Sequence, residues 1–416
     1  MKDNARLPVY SLTSPLHDSR SVDGESAAFL QSLESFMDFR FDVRGEDFSD
    51  YGSSPISLIF VRTGGTEGLF KEVFDSLGDA PVRLLASGRN NSLAAAMEIL
   101  SFLRMHGRDG EILHGDPESV AGRITLLACV ESARRTLSES RYGVIGRPSD
   151  WLVASVADRG AVQEALGVAL VDIGMDELLE EISLKEYPSG AQSGILPLSL
   201  AGTGAVGKEQ FEGALQIYGA LRRLVARHGL SGFTLRCFDL LDSVGNTGCL
   251  GLAMLNSEGL VAGCEGDVPA MLTMAISRAL TGSSGFQCNP SRIDTRSGSI
   301  VLAHCTVPLD MLRSYTYDTH FESGIGVAIR GEMQEGDVTL FKVSGDLSSY
   351  YVDEAVLVEN LCEKDLCRTQ LMLRTGSSLD YFLKSPLGNH HVVLKGRHAS
   401  LISAFMDSAG ALRHPE

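Results

Sequence analysis

The chain has 416 residues, of which 44% are hydrophobic and 21% charged, and it carries a formal net charge of −17. This length predicts two or three domains, since single hydrophobic cores stop growing below that size. The acidic balance argues against binding to nucleic acid or to an anionic membrane surface, because both need clustered lysine and arginine. A neutral small molecule remains compatible as the partner.

Targeting signals are not apparent in the sequence. Residues 1–6 are polar and lack the apolar stretch of a signal peptide. No window reaches the roughly 18 consecutive apolar residues of a membrane span. The eight cysteines are scattered without a CxxC pair, which favours reduced, buried thiols. We therefore expect a cytoplasmic protein.

The first part of the chain alternates short apolar runs with amphipathic segments. Apolar runs at 57–61, 82–86 and 124–130 predict buried strands, and apolar spacing over 67–77 and 93–105 predicts helices, the second capped by Ser92. Gly64 and Gly65 close the first run with a turn. This alternation is typical of βαβ units with a parallel sheet.

The pattern restarts near residue 141 and changes again from about residue 297. Strands are predicted at 168–173, 234–238 and 260–264, and helices at 210–228 and 269–280, the latter capped by Asp267. From residue 297 the segments 299–304, 326–330, 337–343 and 351–359 alternate as strands do, and a helix follows at 399–409. We predict an α/β protein with two Rossmann-like parallel-sheet domains, 1–140 and 141–285, followed by a β-rich, antiparallel or barrel-like domain, 286–416.

Three polar segments are candidates for a buried site. Glu265 follows a predicted strand, and ligands in open α/β sheets bind beyond the carboxyl ends of strands. Asn289 precedes a strand that ends on His304 and Cys305. His390 and His391 lie near His398, and imidazole suits divalent transition metals. Adjacent histidines on a strand face opposite sides, so one of the pair can enter a given site. An ordinary loop acid with a helix cap, and histidines satisfied in a core, are the alternative interpretation.

Together these segments resemble the L-fucose isomerase and L-arabinose isomerase superfamily, in particular its short fucose-isomerase-like members. The stretch from Gly263 to Met274 is similar to their strand–glutamate–helix element, and the turn Leu280-Thr281-Gly282 follows it there as well. The pair Asn389-His390, followed by an apolar run and Gly396, is similar to the motif that supplies a histidine ligand.

The resemblance implies a metal site in which Glu265, Asn289 and His390 hold Mn²⁺ or another divalent cation. Glu265 would also be the catalytic group, and Asn389, His304 and Cys305 would contact the hydroxyls of a sugar. Asn289 stands where the family has an aspartate. An amide oxygen still binds a divalent cation, less strongly than a carboxylate, and it cannot act as a base.

The function implied by the resemblance is that of an enzyme, an intramolecular oxidoreductase that interconverts an aldose and a ketose through an ene-diol. A pentose, a deoxyhexose or a related sugar is the expected substrate. A homo-oligomer, a trimer or a hexamer, is the expected assembly. Two alternatives stay open at this point: epimerisation or aldol-type cleavage of a sugar on the same fold, and a non-catalytic sugar-binding protein. Fold alone does not separate these functions.

Overall fold

The computed structural model describes residues 6–79, 81–195, 197 and 206–414. The chain falls into two compact units, Met1–Arg135 and Thr136–Glu416. Within the described residues, no helix is both long enough and apolar enough to span a membrane. Residues 1–5, part of the polar amino-terminal stretch, lie outside the described residues.

The described part of the first unit is built on a parallel sheet with the strand order β2-β1-β3-β4-β5. Its strands are β1 (Arg6–Leu12), β2 (Arg40–Gly45), β3 (Leu58–Val61), β4 (Val82–Ala86) and β5 (Gly110–Leu113). Its helices are α1 (Ser19–Glu34), α2 (Glu67–Val73), α3 (Ser92–Met105) and α4 (Pro117–Ser138), with a short 3₁₀ helix at Phe74–Leu77. The predicted parallel α/β architecture is confirmed here, because every strand pair in this sheet is parallel.

Two local predictions in this unit are wrong. Residues 124–130, predicted as a strand, lie inside α4. In this helix Val120, Ile124 and Leu127 recur at helical spacing and pack into the core of the unit. This spacing extends beyond the short apolar run and decides that the segment is helical. Ser92 is the first residue of α3 rather than its cap. The cap position belongs to Asn91, and the Ser92 hydroxyl accepts a hydrogen bond from the backbone of Gly88.

A second parallel sheet opens the larger unit, with the strand order β7-β6-β8-β9. Its strands are β6 (Arg141–Ile145), β7 (Ala169–Ile173), β8 (Gly232–Leu235) and β9 (Val261–Cys264). Its helices are α5 (Arg159–Leu166), α6 (Met175–Ser183), α7 (Lys208–His228), α8 (Asp239–Val244), α9 (Cys249–Ser257) and α10 (Val268–Thr281), with a 3₁₀ helix at Ala191–Gly194. Because all strands run the same way, the loops after β6, β8 and β9 meet at one edge of the sheet.

The remaining chain is β-rich, as predicted. Its strands are β10 (Phe286–Asp294), β11 (Ser299–His304), β12 (Leu312–Asp318), β13 (Ala328–Met333), β14 (Gly336–Val343), β15 (Ser349–Leu361), β16 (Thr369–Thr375), β17 (His391–Lys395) and β18 (Leu412–His414). Two helices, α11 (Asp380–Lys384) and α12 (Ala399–Ser408), and a 3₁₀ helix at Leu309–Met311 complete it.

Six of these strands form a closed antiparallel barrel in the order β14-β17-β10-β11-β16-β15, with β14 paired back onto β15. Strand β18 adds to β15 in parallel, and β12 and β13 form a separate antiparallel pair. Every second residue of the barrel strands faces its core, for example Ile300 and Leu302 on β11 and Val338 and Leu340 on β14. Helix α10 packs against β14 and β17, which brings the end of β9 next to the barrel. The division of this unit at about residue 285 stays a prediction.

Candidate metal centre

Glu265 sits in a tight turn between β9 and α10. Glu265 and Gly266 both have left-handed backbone angles, with φ of +63° and +69°. A side chain at Gly266 would place its Cβ 2.4 Å from the carbonyl oxygen of Arg147, so only glycine fits. The Ser149 backbone N–H donates to the Glu265 carbonyl at 2.9 Å. A non-glycine residue in this conformation costs about 1–2 kcal/mol, and the surrounding hydrogen bonds hold it there.

Asp267 ends the turn and begins α10. Its Oδ1 accepts a hydrogen bond from the backbone N–H of Ala270 at 2.7 Å, which confirms the predicted helix cap. Its other oxygen, Oδ2, lies 2.9 Å from Nδ1 of His390. The predicted cap therefore has a second role that its position in the sequence did not reveal.

The Glu265 carboxylate faces two buried imidazoles. Its Oε1 lies 3.3 Å from Nε2 of His390 and 3.6 Å from Nε2 of His304. The ligand atoms of the three residues all lie within 4.8 Å of one another. Carboxylate and imidazole are the donors of many transition-metal sites, so this cluster has the chemistry of a divalent-cation site.

The far side of each imidazole is held by a second residue. Nδ1 of His390 donates to Asp267, since a carboxylate can only accept, and Nδ1 of His304 lies 2.9 Å from the Thr306 hydroxyl. Both Nε2 atoms are thereby directed at Glu265. Within the described structure, Nε2 of His390 is buried and has no hydrogen-bond partner. Metal-binding histidines characteristically have this arrangement, in which the outer nitrogen donates to a carboxylate and the inner one is left for the ion. The residues present therefore fit a divalent cation.

Charges in the cluster are strongly coupled. Burial would raise the pKa of Glu265, but the close contacts of its carboxylate with the imidazoles of His304 and His390 outweigh this effect and hold that pKa well below its usual range. Burial would lower the pKa of His390, but Asp267 and Glu265 raise it to about 9. A proton and a divalent cation would therefore compete for Nε2 of His390. Burial lowers the pKa of His304.

Behind the cluster lies a buried lysine. Nζ of Lys342, on β14, is 3.8 Å from Oδ1 of Asp267, and both side chains are fully buried. In the described structure this ammonium has no hydrogen-bond partner. Burial raises the pKa of Asp267, yet the Lys342 charge and the His390 contact bring it down to about 2. A chain of charges therefore runs from Lys342 through Asp267 to His390, whose Nε2 is the candidate ligand atom.

On the other side of Glu265 lies the single tryptophan of the sequence. The Trp151 indole N–H donates to Oε2 of Glu265 at 2.7 Å. The ring of Phe238 packs edge-to-face against Trp151, and His320 packs in the same way against Phe238. Burial, and then the neighbouring His304, lower the pKa of His320 to about 4.

The predicted site residues are distributed as follows. Glu265 and His390 lie together, and His304, predicted to contact sugar hydroxyls, joins them in the candidate metal cluster. Asn289 lies on β10 between β11 and β17, and its Oδ1 accepts a hydrogen bond from Nδ2 of Asn389 at 3.0 Å. These two amides are therefore adjacent, and Asn289 as a ligand stays a prediction.

The other two predicted features concern His391 and Cys305. His391 faces away from the cluster, with its Nε2 3.0 Å from the hydroxyl of Tyr381, as expected from strand alternation. Cys305 is buried in a small apolar cluster with Cys249 and Ala328. Its contact with substrate stays a prediction.

Sequence reasoning missed Trp151, His320, Lys342 and Thr306. Lone polar or aromatic residues on loops and strands carry no local pattern that marks a site. The one available signal was the single tryptophan, because a solitary large aromatic residue in a polar loop is unusual.

No protein-family model matches the chain. It is similar to curated proteins named sulfoquinovose isomerase. The protein of this name from Priestia megaterium (strain ATCC 12872 / QMB1551) is 26% identical over 275 residues, which cover 63% of this chain and 60% of the relative. The one from Alkalicoccus urumqiensis is 24% identical over 275 residues, which cover 62% and 60%. The similarity thus spans about 60% of the length of these relatives.

Proposed function

We propose that this protein is a metal-dependent sugar isomerase that interconverts an aldose and a ketose. The observation that carries the proposal is the arrangement of Glu265 Oε1 opposite the Nε2 atoms of His304 and His390, with both outer imidazole nitrogens anchored. The names of the similar curated proteins support the same reaction class. Sulfoquinovose, the sugar in those names, is the first substrate to test, ahead of a pentose or deoxyhexose.

Glu265, His304 and His390 would hold the cation, with Asn289 as a further oxygen donor. A bound divalent cation such as Mn²⁺ would supply Lewis-acid polarisation of the sugar oxygens at C1 and C2. The imidazole of His390 must give up its Nε2 proton for this, and its hydrogen bond to Asp267 keeps the remaining proton on Nδ1.

The proton transfer is assigned to the Glu265 carboxylate. Isomerisation removes a proton from C2 of the open-chain aldose and places it on C1, while the proton of the O2 hydroxyl is transferred to O1. Glu265 is ionised, and Trp151 holds its Oε2 from one side. An ionised carboxylate within reach of both carbons can take the C2 proton and return it to C1. The burial of the cluster limits exchange of that proton with water.

Metal content is the first test of the proposal. The purified protein is expected to bind Mn²⁺, and Glu265→Gln and His390→Ala are expected to weaken binding at least tenfold, as measured by calorimetry. Glu335→Gln, at an exposed turn, is the matched control and should bind like the parent. Retention of Mn²⁺ in both site variants would contradict the metal centre.

Turnover is the second test. Sulfoquinovose and a panel of aldoses and ketoses are incubated with Mn²⁺ in D₂O and followed by NMR. Ketose formation supports isomerisation, and the fraction of deuterium at C1 of the ketose measures how much of the transferred proton exchanges with the solvent. Inversion without ketose, or shorter carbon fragments, would assign epimerisation or aldol-type cleavage instead. Sugar binding without any conversion would assign a non-catalytic binding protein.

Assembly and location belong to the same proposal. We expect a trimer or a hexamer, which light scattering of the full chain measures directly, and a location in the cytoplasm, which fractionation of the source cells tests.

A further inference from the structure

The loop after β6 is attached to the turn that carries Glu265. Two backbone contacts join them: the Ser149 N–H donates to the Glu265 carbonyl, and Gly266 packs against the Arg147 carbonyl so closely that no Cβ fits. These contacts involve only backbone atoms, and they fix the position of the loop relative to the Glu265 backbone. Trp151 lies within this loop, which runs from residue 146 to residue 158.

Trp151 fixes one oxygen of the Glu265 carboxylate. An indole N–H can donate but cannot accept, so its partner at 2.7 Å, Oε2, is held as an acceptor. The other oxygen, Oε1, is the one that faces both histidines. Rotation of the carboxylate would break the indole bond and turn Oε1 away from the imidazoles.

Core packing does not account for this tryptophan. Residue Trp151 is 52% exposed, whereas residue Glu265 is 7% exposed. A large aromatic residue that stabilises a fold is normally buried on most of its surface. Trp151 is instead half in solvent, and its N–H points inward to a buried carboxylate. The polar end of the side chain, rather than its apolar area, makes the specific contact.

We propose that Trp151 is a positioning residue that holds Glu265 with Oε1 directed at the cation. This inference rests on the metal centre of the proposed function and assigns a role that the ligand residues alone do not supply. Removal of an outer hydrogen bond to a ligand typically weakens metal binding by about 10- to 100-fold. Loss of the indole N–H should therefore weaken Mn²⁺ binding about tenfold.

The single tryptophan allows a test that changes one chemical group. Growth of a tryptophan auxotroph on benzothienylalanine, in which sulfur replaces the indole N–H, alters this 416-residue chain only at Trp151. The ring keeps its size and shape, so the packing against Phe238 is preserved. 5-Fluorotryptophan, which keeps the N–H, is the matched control. The Mn²⁺ dissociation constant of each protein is measured by calorimetry, together with that of Trp151→Phe.

The expected result is an increase of about tenfold in the Mn²⁺ dissociation constant for benzothienylalanine and for Trp151→Phe, and no change for 5-fluorotryptophan. An increase of threefold or more that is confined to the two proteins without the N–H supports the inference. A smaller increase, or an equal increase with 5-fluorotryptophan, overturns it.

A spectroscopic signature separates positioning from a general loss of structure. The 5-fluorotryptophan protein should give one ¹⁹F resonance, which Mn²⁺ broadens because the ion binds beside the ring. The same resonance should stay sharp in the Glu265→Gln background at the same Mn²⁺ concentration. Equal broadening in both proteins would overturn the inference.

The failures of the two proposals are distinguishable. If no sugar is converted but Mn²⁺ binding depends on the indole N–H, the isomerase is wrong and the positioning role stands. If the parent protein does not bind Mn²⁺ at all, the positioning role is overturned together with the metal centre.

Discussion

Replacement of Asp267 by asparagine tests how much the buried charge pair next to the candidate metal cluster contributes to the stability of the protein. The substitution keeps the size of the side chain and an oxygen that can still accept from Ala270. It removes the negative charge 3.8 Å from Nζ of the fully buried Lys342 and places an amide N–H opposite Nδ1 of His390. The buried ammonium then has no opposite charge beside it.

The cost can be worked out from this geometry. Two unit charges 3.8 Å apart interact by about 4 kcal/mol at an effective dielectric constant of about 20. Removal of one partner of a buried pair typically costs about 3–5 kcal/mol, because the other charge stays buried. The two figures agree, so Asp267→Asn should lower the free energy of unfolding by about 3–5 kcal/mol. Burial lowers the pKa of Lys342, and loss of its proton limits the cost at high pH.

Urea unfolding at neutral pH, followed by Trp151 fluorescence, measures this loss, since the tryptophan lies in the larger unit. Asp267→Asn, Lys342→Met and the double variant form a thermodynamic cycle. Lys342→Met removes the unpaired charge, so the double variant should be more stable than Asp267→Asn alone. A loss below about 1 kcal/mol in Asp267→Asn, or effects that add to within about 0.5 kcal/mol, would refute the charge pair.

Three further outcomes are expected. The folded-state pKa of His320 is about 4, below the roughly 6.5 of an unfolded histidine, so its contribution to stability is present above pH 6.5 and is lost as the pH falls toward 4. When the pH falls from 7 to 5, the free energy of unfolding should therefore decrease by about 2 kcal/mol less in His320→Gln than in the parent protein. Urea titrations of both proteins at the two pH values measure this difference, and an equal decrease in both would contradict the prediction. Gly266→Ala should destabilise the protein more than Gly282→Ala, because both glycines have left-handed angles but only Gly266 lies against backbone; equal midpoints in urea would show that the close approach to Arg147 does not matter. Asn289→Asp should tighten Mn²⁺ binding roughly tenfold in calorimetry if Asn289 is a ligand, and unchanged affinity would exclude that role.

Elements with strong periodicity were predictable from the sequence. The strand before Glu265, the Asp267 cap with Pro269 in the first turn, and the helix that follows were all read correctly, because the signals are local. The prediction for residues 124–130 is wrong, because a short run in which six of seven residues are apolar fits a strand or a buried helix equally well. The difference was decided by the packing of Val120 and Ile124 on one face of a longer helix.

The sequence by itself determined the turn at Glu265 and the sidedness of His390 and His391. The first follows from Gly266, which readily adopts left-handed backbone angles, and the second from the two-residue period of a strand. Only the tertiary structure decided the membership of the cluster. His304 is the last residue of β11, His390 precedes β17 and Glu265 follows β9. The closure of the barrel against α10 brings these three residues together. The same is true of Trp151 and Lys342. Their partners are 114 and 75 positions away in the chain, and no local preference encodes a contact over such a separation.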